Sequence, residues 1–170
     1  MRIYTSSITQ KDLIYQYLPA NYREAFECNF SSEKNISADD IQVAFWTNSP
    51  QWIRSMFKLR DKIVKVFGIE PGNDDNKSAF AECIKSGNSY RFISIPNKSA
   101  DETILCANDK HLVMYFSIKL TEKDNNQKTV KASTIVKFHN LLGRAYFCVI
   151  FPFHYIIVHS MLKFTIKNIK

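Results

Sequence analysis

No acidic residue follows Asp124, and that absence decides where the charge of the chain sits. Residues 1–124 hold sixteen Lys/Arg against sixteen Asp/Glu, so the excess of seven positive charges falls on Lys128, Lys131, Lys137, Arg144, Lys163, Lys167 and Lys170. Such a tail could meet an anionic partner, but solvated lysines on strand faces and a helix end are the simpler expectation. There is no CxxC pair, no Cys/His cluster and no HExxH, and Cys28, Cys83, Cys106 and Cys148 stand far apart. This spacing argues against a zinc framework, so no metal is expected and the cysteines read as four buried free thiols of a cytoplasmic protein. GxGxxG, the P-loop and the GxSxG elbow are also missing, so no cofactor is expected and no nucleophile is visibly activated. The first twenty residues contain no apolar core or small-residue cleavage site of a secretory signal. The aromatics fall on core faces instead of interleaving with lysines, which speaks against a nucleic-acid partner.

What is present suits one domain with a bulky interior: 170 residues, 45% apolar and 14% aromatic. Residues 1–20 show no clean period and read as an N-terminal extension. Tyr22 to Phe30 alternates well enough to be the first strand. Ser37 is the expected N-cap of a short helix over ADDIQVAFWTN, with Asp39 and Asp40 in the first turn. Ser49 and Pro50 open a second helix that Gly68 would end. Its expected buried face is Trp52, Met56, Leu59, Ile63 and Val66, opposite Arg54, Lys58, Lys62 and Lys65. Residues 69–90 look loop-like, with turn residues in GNDDNKS and SGNS. Four strands then follow in RFISIPNKS, ETILCAND, KHLVMYFSIKLTEK and KTVKASTIVKFHN, with an NDK turn and a KDNNQK turn. In the last two, Leu112, Met114, Phe116, Ile118 and Leu120, and Val130, Ala132, Thr134, Val136 and Phe138, mark an oily face. Asn140 caps a long final helix, residues 141–169. Its stretch RAYFCVIFPFHYIIVHSMLK approaches the length of a membrane span, but His154, His159, Ser160 and the interior Pro152 count against one. The expected alternative is a core helix covered by the sheet on one side and by the Trp52 helix, a ligand or a second subunit on the other. A strand, a helix pair, an antiparallel meander and a long last helix is the order of an α+β helix-grip fold.

Three stretches, SPQWIRSMFKLRDKIVKVFGI, ANDKHLVMYFSIKL and FHNLLGRAYFCVIFPFHYIIVHSMLK, resemble in order and spacing a bacterial family called domain of unknown function 2867. The matching features are Trp52, Leu59-Arg60-Asp61, Asp109 with His111-Leu112, Asn140, Gly143-Arg144, Tyr146 and Pro152-Phe153-His154. That family is similar to the START/Bet v1-like (SRPBCC) superfamily. The resemblance therefore implies a curved antiparallel sheet wrapped round the C-terminal helix, with a hydrophobic molecule held between them. Some relatives carry a dinucleotide-binding domain upstream; with no GxGxxG here, no nucleotide role transfers. The NKSADE insert and the few arginines of the last helix depart from the family's pattern and put a specific anion site in doubt.

The leading expectation is thus a cytoplasmic single-domain protein, residues 1–170, holding a small hydrophobic or amphipathic ligand. Met114, Phe116, Val136, Tyr146, Phe153, His154 and Ile157 are the expected lining, with Arg144, His111 and His139 as polar anchors. A second possibility is a cyclase- or hydrolase-type enzyme in which Asp109 orients His111 or His139 as a general base. The same groups equally serve to fix a helix end and close hairpins. His154 and His159, five residues apart, do not share a helix face as metal ligands would. A third possibility is a homodimer or a protein that touches a membrane surface through the apolar helix and basic tail.

Overall fold

The computed structural model describes residues 2–66, 76–123 and 126–169. They form an α+β arrangement in the order β1 (Ile3–Ser6), a 3-10 turn (Leu13–Tyr17), β2 (Tyr22–Ser31), α1 (Ala38–Thr47), α2 (Gln51–Val66), α3 (Lys77–Ser86), β3 (Ser89–Tyr90), β4 (Ile93–Lys98), β5 (Glu102–Asn108), β6 (Leu112–Glu122), β7 (Gln127–Phe138) and α4 (Leu141–Ile169). The seven strands make one open antiparallel sheet, β1-β2-β7-β6-β5-β4-β3.

Strand alternation sends two kinds of side chain to the two faces. On the inner face, Phe26 of β2 pairs with Ala132 of β7, Ala132 with Ile118 of β6, and Met114 with both Val136 and Ala107. Against this apolar surface pack α1 and the second half of α4, in a core built from Phe26, Ile41, Phe45, Ile53, Phe116, Ile118, Val158, Met161, Leu162 and Ile166. The rings of Phe45 and Phe116 lie 4.6 Å apart, centre to centre. Ser37 starts α1 by a capping box, its hydroxyl accepting from Asp40 N while the Asp40 carboxylate accepts from Ser37 N.

The outer face carries a row of charge across four adjacent strands. Register places Glu27 beside Lys131, Lys131 beside Lys119, and Lys119 beside Glu102. Two ammonium groups opposite one another repel. Asp12, brought over the sheet by residues 7–17, sits between them: Lys131 Nζ donates to Asp12 Oδ2 at 2.7 Å and Lys119 Nζ lies 3.4 Å from Oδ1. Glu102 is 1% exposed and accepts from Ser117 Oγ at 2.5 Å and from the backbone N–H groups of Leu13 and Ile14. Ile14 packs with Ile104 and Ile135, and Tyr17 stacks on Tyr115, closing the lid.

Several expectations need correction. Residues 1–20 are more than an extension, since they supply β1 and the cover of the outer face. The expected loop contains α3, started by the Asn76 side chain accepting from Ala79 N and stopped by Gly87 at φ 75°. Gly68 lies outside the described residues, as do part of the KDNNQK turn and the side chains of Ile63 and Val66. Lys128 and Lys131 are buried, not solvated. Cys28, Cys83 and Cys106 are buried free thiols, whereas Cys148 is exposed. Among the described side chains of α2, Ile53 is buried in the core and Phe57 packs against it, while Trp52 and Leu59 are about half exposed.

Candidate functional site

The first half of α4 buries Gly143, Tyr146 and Phe147 but does not close fully onto the sheet. Between it, the inner face of β5, β6 and β7, the end of α1 and the helices α2 and α3 lies a cleft of about 630 Å³. Phe45, Leu105, Met114, Phe116, Val136, Tyr146, Phe153, Ile157 and Met161 give it apolar walls. Trp46 adds a ring, set edge-on to Phe116, and its Nε1 is buried without a hydrogen-bond partner among the described residues. At the mouth stand Arg54, Lys58, Lys77 and Arg91 among the acids Asp61 and Asp109. Of the expected lining residues, Met114, Phe116, Val136, Tyr146, Phe153, His154 and Ile157 all border this space. Arg144 does not: it is exposed on the first turn of α4.

The polar group expected around Asp109 does gather at one end of the sheet. Its contacts close the β5–β6 hairpin and seat α4. Asp109 Oδ1 accepts from the backbone N–H of His111 at 2.6 Å and of Leu112 at 2.9 Å. Asn140 caps α4 by accepting from Gly143 N, and its amide donates to the Lys110 carbonyl. A Cβ on Gly143 would stand 2.1 Å from the His111 carbonyl oxygen, so only glycine allows the helix to approach this closely. His139 Nε2 is 3.0 Å from Asn108 Oδ1, and His111 Nδ1 is 3.5 Å from the Asn140 amide. Among the described residues, Asp109 bonds to neither imidazole. The oriented carboxylate–imidazole pair that a general base requires is therefore not formed there. Burial pushes the Cys83 and Cys106 thiols up, away from nucleophilic thiolate.

A carboxylate–imidazole pair does exist elsewhere, where the expected list had only one of its members. His154 Nε2 stands 2.9 Å from Glu24 Oε1, close enough for an ion pair when the ring is protonated, but neither atom makes a hydrogen bond among the described residues. Glu24 is on the inner face of β2 and its side chain is only 6% exposed. Tyr22 OH donates to Glu24 Oε2 at 2.7 Å, and the Tyr22 ring meets those of Phe147, Phe151 and His154. Burial and the neighbouring carboxylate push the Tyr22 phenol far above its ordinary range, so it remains a proton donor to Glu24. The signal was present in the alternation: Glu24 lies two residues from both Tyr22 and Phe26, a carboxylate on an oily face.

Comparison with known proteins adds one result. The model of the family described as protein of unknown function (DUF2867) matches residues 17–161. The chain belongs to that family. No curated protein and no solved structure matches it. The DUF2867 span takes in the cleft walls together with Tyr22, Glu24 and His154, and leaves outside it β1 and Asp12.

Proposed function

We propose that the protein binds a small hydrophobic or amphipathic molecule in the cleft between sheet and α4, within a fold of the helix-grip, START/Bet v1-like kind. The observation that carries this reading is the cleft: about 630 Å³ of space with walls of Phe45, Met114, Phe116, Val136 and Ile157. Ligand sites generally occupy about 300–1,000 Å³ and are mostly apolar with a few placed polar groups. Native mass spectrometry of the purified protein, joined to titration with an environment-sensitive naphthalene dye, tests it. Saturable one-to-one binding is expected, and Val136→Trp, which fills the cleft, should weaken it at least tenfold. A protein that carries no ligand and binds no dye would end this reading.

A second reading is favoured by the exposed apolar side chains of α4. Leu141 is 81% and Ile156 55% exposed, and Phe151, Phe153 and Tyr155 of α4 are each 43% exposed. Helix α4 is long and apolar enough to cross a membrane, and 22% of its most apolar window is buried. Patches of this kind mark partner or membrane contacts. In this reading a second copy or a lipid surface covers them. Sedimentation over a range of concentrations and flotation with anionic vesicles distinguish the two, and a monomer that ignores vesicles would exclude both.

A further inference from the structure

We propose that the ligand is an amphipathic anion, with an aliphatic chain in the apolar cleft and a carboxylate or phosphate head held by Arg54, Lys58 and Lys77 at its mouth. The proposal rests on the ligand-binding reading above and names the chemistry of its ligand. Four cationic side chains border the cleft: Arg54 and Lys58 from α2, Lys77 from α3 and Arg91 from the turn between β3 and β4. The acids on the same border are Asp61 and Asp109. Asp109 is a weak counterweight, since its Oδ1 already accepts from the backbone N–H groups of His111 and Leu112.

Charge on the sheet is matched within the molecule, which makes the excess at the mouth informative. Lys98 pairs with Asp39, Lys119 and Lys131 with Asp12, and Lys128 with Glu122. The side chains of Arg54, Lys58 and Lys77 make neither an ion pair nor a hydrogen bond among the described residues. Arg54 and Lys58 also stand one helical turn apart on α2, where like charges oppose each other modestly. An anion between them removes that repulsion and gains charge-assisted hydrogen bonds, for which the planar arginine fork suits a carboxylate or a phosphate. A hydroxyl head brings no charge to this rim, and an ammonium head is repelled by it. These cations belong to α2 and α3, so the shortage of arginine in α4 does not bear on them.

The test uses the full chain with a neutral environment-sensitive dye in the cleft, displaced at neutral pH by decanoate, decyl phosphate or 1-decanol, each below its micelle concentration. The quantity read is the ratio of half-displacement concentrations, alcohol over anion. In a cleft without cations the alcohol would win, because an ionised head resists leaving water. Here at least one anion should displace the dye at a concentration about tenfold below the alcohol, as expected of two or three exposed ion pairs. Decanoate against decyl phosphate separates the two head chemistries. The preference should shrink severalfold as salt is raised from about 0.01 M to about 1 M and the screening length falls from about 30 Å to about 3 Å. Arg54→Gln combined with Lys58→Gln should cut it about fivefold. Both side chains are exposed, so folding is expected to survive, and a urea midpoint checks this. Lys163→Gln combined with Lys167→Gln removes the same charge from the end of α4, outside the cleft lining, and should leave the ratio as it is. An equal drop in the two double variants, a ratio indifferent to salt, or no preference for either anion overturns the anionic head and leaves the cleft as a ligand site. Failure of all three chain molecules to displace the dye removes the ligand site and the head-group assignment together.

Discussion

The two faces of the sheet solve opposite problems. The outer face is rich in charge, yet its ionic groups find partners: Glu27, Lys131, Lys119 and Glu102 lie side by side across four strands, and Asp12 comes down between the lysines. The inner face is almost wholly apolar, yet only part of it is covered. The second half of α4 buries Val158, Met161, Leu162 and Ile166, while the first half leaves a cleft beneath it and apolar side chains outside it. Polarity and exposure are thus uncoupled here. The charged surface is sealed and structural, and part of the oily surface borders an open cleft.

The contrast can be broken most severely at Glu102. Glu102→Ala removes the acceptor of Ser117 and of two backbone N–H groups and leaves Lys119 with less compensation. Loss of about 4 kcal/mol is expected in urea unfolding, as for other buried ionic groups stripped of one partner. On the inner face, Leu162→Ala in the covered half of α4 should cost about 3 kcal/mol through the cavity it leaves. A smaller effect is expected from acid. Burial alone would raise the Asp12 carboxyl, but the hydrogen bonds from Lys131 and Thr9 outweigh it and hold the group below its ordinary 3.8. A carboxyl lowered in the folded state contributes stability above that ordinary value and loses it as pH falls through the folded one. Unfolding midpoints measured downward from pH 5 should therefore fall less steeply in Asp12→Asn than in the wild type; parallel curves would show that Asp12 is not a source of the acid sensitivity. The least effect belongs to Ile156→Ser on the exposed flank of α4, within about 0.5 kcal/mol of wild type. A loss as large as that of Leu162→Ala would mean that this flank is covered in solution.

Much of the fold is legible in local pattern. The capping box at Ser37 and the alternation of β6 and β7 use signals contained within a few residues. Helix α3 is hidden within the expected loop because its ten residues lie between two turn-rich clusters, and its αL stop, Gly87, reads equally as part of a turn. The outer face is illegible in local pattern for a different reason. Alternation states that Lys131 opposes Ala132, but not that Asp12, 119 positions away, will be folded over it. The site divides in the same manner. Met114, Phe116 and Val136 follow from strand parity, and Phe153 and Ile157 from the apolar helix. The Glu24–His154 contact joins β2 to α4 across 130 positions, and only tertiary packing brings it together.

The ends of the sheet bear on how the molecule behaves in a crowded solution. The terminal strands β1 and β3 are four and two residues long. Beyond β3 the rim of β4 contains Pro96, a register shift between Ser94 and Asn97, and Lys98. A foreign strand seeking to extend the array would find a missing donor, a broken repeat and an ammonium group in succession. The β4 end of the sheet is thereby ill suited to templated strand addition.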